Sequence, residues 1–248
     1  FALGTAYSRK LSDNFSLAIA GRYIYSNLTG GQAAGGIPTV AGKSIAADIA
    51  GYYTNPIRIS GKEIDLAIGG NISNIGNKIS YTESSIRDFI PINLRLGTAL
   101  GAHFDDYNKM SFAFDINKLL VPTPPQYDED GEIVAGKDPD VSVVSGIFQS
   151  FGDAPGGFSE EIREINYSVG TEYWYADQFA IRAGYFFEND TKGGRKFFTF
   201  GSGIKYNVFA LDFSYLINAS RAINGNNPLA NTMRFTLVFD FGAMEEMN

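Results

Sequence analysis

Four features are missing or scarce in this chain of 248 residues, and each absence excludes a class of function. There is no cysteine, which excludes disulfides, thiolate metal sites and cysteine nucleophiles. His103 is the single histidine, so multi-histidine metal ligation is excluded and serine–histidine chemistry has only one possible base. The net charge is −7, so the chain lacks the excess of basic residues that a nucleic-acid binder needs. The longest uncharged run, residues 23–42, carries five glycines and a proline, so it does not make a membrane-spanning helix.

Aromatic and aliphatic residues are plentiful instead, and they recur at every second position. Near the C-terminal end Phe235, Leu237 and Phe239 alternate with more polar residues, and Phe209, Leu211 and the residues after them repeat the pattern. A period of two puts each apolar set on one face of a β-strand. This periodicity predicts eleven strands, over residues 2–10, 14–28, 43–56, 62–74, 91–104, 109–120, 161–175, 178–189, 195–206, 208–219 and 230–241.

The lengths of these strands and of their connections favour a membrane protein. Strands in soluble sandwiches have about 5–6 residues, whereas a tilted strand crosses a bilayer with roughly 9–11. Short turns alternate with longer links, as in outer-membrane barrels with short periplasmic turns and longer extracellular loops. We therefore predict an all-β fold, a single transmembrane antiparallel β-barrel domain over residues 1–248, in the bacterial outer membrane. The longer links lie at 29–42, 75–90, 121–160, 190–194 and 220–229.

The strand count predicts that part of the barrel is missing from this sequence. If the short turns are periplasmic, the first predicted strand runs inward, and so does the last. Single-chain bacterial barrels have an even number of strands. Eleven strands therefore predict that an odd number of strands is missing on the N-terminal side.

The positions between the apolar residues carry charges of both signs. Such charges are costly against lipid and tolerable in a wet or paired interior. Mixed signs predict a cross-linked lumen rather than a filter for ions of one charge. The charged residues on this side are Arg22, Arg95, Arg182, Lys205, Arg234, Asp48, Asp65, Asp115, Glu172, Asp212 and Asp240.

The connection 121–160 is too long for a turn, and links of more than about 12–15 residues are often functional. Its acidic patch at 127–130 admits a calcium site, but Gly131 comes too early for an EF-hand loop, and we prefer a solvated acidic loop. Residues 159–164 predict a short helix capped by Ser159. An apolar run follows Val143; it either tucks over the barrel mouth or forms a docking patch. The candidate partner-binding residues are Ile147, Phe148, Phe151 and Phe158.

Four separated segments resemble the PorV family of the Bacteroidetes type IX secretion system. They are NISNIGNKISYT at 71–82, FIPINLRLG at 89–97, DINKLLVPTP at 115–124 and SGIFQSFGDAPGGF at 145–158. The resemblance implies a FadL-like outer-membrane barrel of about fourteen strands in the full protein, an even number, with about eleven of them present here.

The resemblance also implies a non-enzymatic role without a cofactor. The implied partners are the SprA translocon, the secreted cargo, which is received by its C-terminal signal domain, and the PorU-containing attachment complex, to which the cargo is passed. Outer-membrane lipids and lipopolysaccharide are implied as further partners. Two alternatives stay open: a FadL-like channel for hydrophobic ligands, and a lipopolysaccharide O-deacylase. The deacylase needs a base, and His103 is the only imidazole. We interpret His103 as a lumen residue satisfied by polar neighbours.

Overall fold

Antiparallel strands make up most of the chain. The structure, a computed structural model, describes residues 1–33, 35–82, 87–219 and 231–239. Eleven strands form one large sheet in which neighbours follow chain order, and two further short strands pair with each other. The large sheet consists of β1 (Ala2–Lys10), β2 (Phe15–Ser26), β3 (Gly42–Ile59), β4 (Lys62–Gly76), β5 (Asn93–His103), β6 (Asn108–Leu119), β9 (Asn166–Tyr175), β10 (Phe179–Phe187), β11 (Lys196–Tyr206), β12 (Phe209–Asn218) and β13 (Met233–Phe239). The separate short pair consists of β7 (Gln126–Tyr127) and β8 (Ile133–Ala135).

The all-β class and the eleven long strands are confirmed, and three details of the strands differ from the prediction. Strand β3 continues through Pro56 to Ile59, because the reversal is made by Ser60 and Gly61, whose φ angles of 51° and 81° fit a tight hairpin turn. Strand β5 begins at Asn93, and Ile92, expected on the apolar side of the strand, is fully buried. Strand β9 begins at Asn166 and not at residue 161.

Two helices lie in the link between β6 and β9. Helix α1 (Val143–Gln149) has no counterpart among the predicted elements; Ser142 caps it by accepting a hydrogen bond from the N–H of Ser145. Helix α2 (Phe158–Arg163) lies where a short helix was predicted, but the predicted cap, Ser159, is wrong. The N-cap is Gly157, whose φ of 65° favours glycine. Neither helix, in the part of the chain that is described, has the length and apolar character needed to cross a bilayer.

The alternation read from the sequence separates exposed apolar side chains from covered ones. On β3, Ile45 is 63% exposed, while its neighbours Ser44 and Ala46 are 4% and 2% exposed. On β10, Ile181 is 52% exposed and Ala180 is fully buried. We call the exposed set the apolar face and the alternate positions the polar face. The apolar face includes Leu17, Ile19, Ile45, Ile49, Leu100, Phe112, Phe179, Ile181, Phe200, Leu211, Phe235 and Leu237.

Two compact units divide the chain. The first comprises Phe1–Tyr53, Gly69–Leu96 and Asn117–Ile165. It contains a small apolar cluster, against which Phe89, Val143 and Ile147 pack, so parts of the links 75–90 and 121–160 rest on it. We call it the unit 1 core, and its buried members are Ala46, Ile79, Ile90, Ile92 and Leu120.

The second unit comprises Thr54–Ile68, Gly97–Ile116 and Asn166–Asn248. It holds the antiparallel series from β9 to β13, in which every pair of neighbours is joined by backbone hydrogen bonds. Residues 230, 240 and 241 of the last predicted strand, and Asp240 of the expected charged set, lie outside the described residues.

Candidate functional site

The link between β6 and β9 is held in place by close packing on the unit 1 core. Val143 and Ile147 of α1 pack against that core. Gly146 lies between them, and a Cβ atom at this position would come within 2.6 Å of the Phe89 ring. Any larger residue at position 146 would therefore require the Phe89 ring to shift.

A buried ion-pair cluster fixes α2. The Lys118 ammonium lies 3.0 Å from Glu161 Oε2 and 2.7 Å from Glu164 Oε2, and all three side chains are at most 13% exposed. The Thr123 hydroxyl donates to Glu164 Oε1 at 2.7 Å. Glu161 Oε1 accepts the backbone N–H groups of residues 153 and 154 at 2.7 and 2.8 Å. One cation on β6 thus binds the carboxylate of Glu161 in α2 and that of Glu164 directly after it, and Glu161 in turn orders the segment before the helix.

Asp153, in the same neighbourhood, is buried and only partly hydrogen-bonded. Its side chain is 1% exposed, and one carboxylate oxygen accepts the N–H of Thr123 at 3.1 Å. The other oxygen has no hydrogen-bond partner among the described residues. Burial raises the pKa of Asp153 above its ordinary value, and the nearby Glu161 and Glu164 carboxylates raise it further, against the lowering effect of the Thr123 N–H.

The two helices and the segment between them carry exposed apolar side chains. Phe148, Phe151 and Phe158 are 73%, 53% and 80% exposed. The fourth candidate, Ile147, is half-buried and packs on the unit 1 core. Val144 and Ile162 are also exposed but were not among the candidates, although Val144 belongs to the predicted apolar run. Each stands four positions from a candidate phenylalanine, and that helical spacing was the available signal. We call Val144, Phe148, Phe151, Phe158 and Ile162 the helix patch.

The acidic part of the link is a solvent-exposed hairpin. Asp128 accepts the backbone N–H groups of Asp130 and Glu132 at 3.1 and 2.8 Å, which is local turn bonding. Asp140 pairs with Lys78 at 3.1 Å and ties the two links together. Among the described residues, no group of three or more His, Cys, Asp or Glu side chains is arranged to hold a metal ion.

Charged residues of the polar face pair across neighbouring strands. In the first unit Arg22 donates to Asp48 and to Asn74, at 2.9 and 2.8 Å. In the second, Arg182 binds both Glu172 and Asp212 at 2.5 Å. These contacts join side chains of different strands and are the cross-links that the mixed charges predicted. Beside the Arg182 group lies an open cavity of about 420 Å³, whose lining includes Gly170 and Gly184.

His103 stands at the end of β5, with its Nε2 atom 3.6 Å from Asp65 Oδ2. Both side chains are about 60% exposed. In the adjoining turn, the Tyr107 N–H and the Asn108 side chain donate to Asp105 and lower the pKa of that carboxyl. The histidine therefore lies near one carboxylate, and Asp105 is hydrogen-bonded by Tyr107 and Asn108 of its own turn.

These features define a class: an all-β protein whose antiparallel strands expose apolar side chains on one face and pair their charges on the other. The family model described as type IX secretion system protein PorV matches residues 1–126, about half of the 248-residue chain. The chain therefore belongs to the PorV family and is a component of the type IX secretion system. No curated protein matches the chain. The match contains the segments at 71–82, 89–97 and 115–124 and ends before the helix patch.

Proposed function

We propose that this protein is an outer-membrane accessory barrel of the type IX secretion system, which binds the SprA translocon and receives cargo by its C-terminal signal domain. The observation that carries the proposal is the exposed apolar face on the strands of a PorV-family chain. Apolar side chains repeated along so many strands need a cover, and lipid supplies one.

The strand dimensions support a membrane span. Strand β2 has 12 residues. At about 3.3 Å per residue and a tilt of about 45°, such a strand rises roughly 28 Å, close to the thickness of a bilayer core. In this proposal the eleven-stranded sheet is part of one closed, FadL-like barrel domain of about fourteen strands. The polar face lines its lumen, where the Arg22 and Arg182 groups are paired.

The helix patch is the proposed docking surface. Phe148, Phe151 and Phe158 are large, exposed and mounted on a link that the unit 1 core and the Lys118 cluster hold in place. Aromatic anchors on a rigid base are typical of binding hot spots. Ile147, in contrast, supports the patch from beneath by packing on the core. Recognition then proceeds without bond-breaking, and delivery to the PorU-containing attachment complex follows in the same outer membrane.

The test is affinity purification of the tagged full chain from native membranes, with co-purifying proteins identified by mass spectrometry. We expect the double change Phe148→Ser and Phe151→Ser to lower recovery of SprA or cargo at least tenfold, because truncating a hot-spot side chain typically costs about 2 kcal/mol or more. Tyr127→Ser is the matched control, since Tyr127 is 55% exposed in the same link but lies on β7. Unchanged recovery would remove the two phenylalanines from the docking surface.

One observation supports a second candidate, a channel for hydrophobic ligands. The 420 Å³ cavity on the polar face of the second unit has glycine and alanine in its lining together with Tyr185 and Phe186. A lipid or acyl chain that co-purifies with the protein and contacts these residues would favour that role over docking.

A further inference from the structure

A narrow groove crosses the apolar face of the second unit at one end of its strands. It has a volume of about 270 Å³, near the low end for small-molecule sites. Its lining comes from the end of β3, the start of β4 and the facing parts of β5 and β6. The walls and floor include Ile59, Leu100, Ala102, Phe104, Met110 and Phe112, and we call it the Ala102 groove.

The groove exists because a small residue stands between large ones. Leu100 and Ala102 are successive positions on the apolar face of β5, Phe104 follows directly after the strand, and the alanine methyl leaves a depression between its neighbours. Met110 and Phe112 of β6 form part of the lining beside them. A longer side chain at position 102 would therefore fill the groove without disturbing any charged group.

Lys62 gives the groove a cationic end. It is the first residue of β4, directly after the tight turn at Ser60 and Gly61, and it forms part of the lining. Its ammonium lies 6.0 Å from the centre of the Phe104 ring. Among the described residues, no carboxylate lies within ion-pairing distance of Lys62. A lysine stem on apolar surface with its charge at the strand end is the arrangement by which lysines reach a membrane interface.

We propose that the Ala102 groove binds one acyl chain of a membrane glycerophospholipid, with the lipid phosphate at Lys62. This inference rests on the proposed membrane span, in which the short turns, and hence Lys62, lie on the periplasmic side. The lining has one hydroxyl, Ser111, and no other uncharged polar side chain, so a peptide or sugar would leave its polar groups unsatisfied there. An alkyl chain has none, and the single cation complements the single negative charge of a phosphodiester.

Native mass spectrometry of the full chain, released from detergent micelles that contain phosphatidylglycerol, tests the proposal. We expect one retained lipid on the unaltered protein and none on Ala102→Leu, in which the groove is filled. Lys62→Gln should retain the lipid about fivefold less well, since a lysine near anionic lipid contributes about 1 kcal/mol, and Lys62→Arg should restore the retention. Ala47→Leu is the matched control, because Ala47 is also exposed on the apolar face but does not line this groove.

Three outcomes would overturn the inference. Equal retention by Ala102→Leu and the unaltered protein would mean that the lipid binds elsewhere. Equal retention of dioleoylglycerol, which lacks the phosphate, would remove the role of Lys62. Protein that stays monodisperse without detergent would refute the proposed membrane span itself, whereas a detergent-dependent protein with lipid retention insensitive to position 102 would refute the groove alone.

Discussion

Replacement of Lys118 by methionine tests how the helix patch is held. The change keeps an unbranched side chain one atom shorter and removes its charge, which leaves Glu161 and Glu164 without the ammonium that lies 3.0 and 2.7 Å away. The three side chains are 8–13% exposed, so water does not replace the lost partner. Removing one partner of a buried ion pair costs about 3–5 kcal/mol. We therefore expect a loss of about 3 kcal/mol of local stability.

Hydrogen exchange of the purified protein in detergent micelles measures this loss locally. A local destabilisation of about 3 kcal/mol speeds exchange through local opening by roughly 100-fold, and the amides to follow are those of α1 and α2. Lys109→Met is the matched control: Lys109 pairs with Asp177 at 2.6 Å, but 64% of the Asp177 side chain is exposed. Exposed pairs contribute about 0–1 kcal/mol, so exchange in the two helices should not change. Equal exchange in both variants would refute the cluster as the element that fixes α2.

Three further predictions concern single positions. Gly76→Ala should lower the free energy of unfolding by about 1–3 kcal/mol, measured as a lower thermal unfolding midpoint in detergent, because the added Cβ would clash with the Ile45 carbonyl oxygen. Gly21→Ala is the control: a Cβ at position 21 meets open space, so the midpoint should not fall. Asp153→Asn should slow hydrogen exchange in α2 at neutral pH. The raised pKa of Asp153 means that its ionised form opposes folding, so the gain should shrink as the pH falls through that pKa, and equal profiles would contradict this. His103→Ala should leave secretion intact, and loss of a lipopolysaccharide deacylase activity with normal secretion would instead support the enzymatic alternative.

The strands were the predictable part of this fold. A period of two over nine or more residues has few interpretations, and β1, β10 and β12 lie within two residues of their predicted ends. Helix α1 was missed because its seven residues complete only two turns, too few for a helical period to emerge. Its signal was the cap at Ser142 and the pair Val144 and Phe148 at helical spacing.

The contacts that fix the candidate site were beyond the reach of sequence patterns. Lys118 bonds to Glu161 and Glu164, which follow it by 43 and 46 positions, and the intervening link could fold in many ways. The alternation on β6 places Lys118 on one face of the strand but does not choose its partner. Likewise, the phenylalanines of the link were visible as an apolar run, while the distinction between exposed Phe148 and half-buried Ile147 depends on which side of α1 meets the unit 1 core.

Two different modes of packing therefore occur in this chain. The strands expose apolar side chains on one face, as Ile45 and Ile181 show. The link 121–160, in contrast, packs apolar side chains such as Ile147 on the buried residues Ile92 and Leu120 of the unit 1 core. The same strand, β3, serves both, since Ile45 faces out and Ala46 belongs to the unit 1 core. A link built in this way presents its exposed phenylalanines in one arrangement before any partner arrives. Binding at the proposed docking surface would then lose less conformational entropy than the ordering of a free loop.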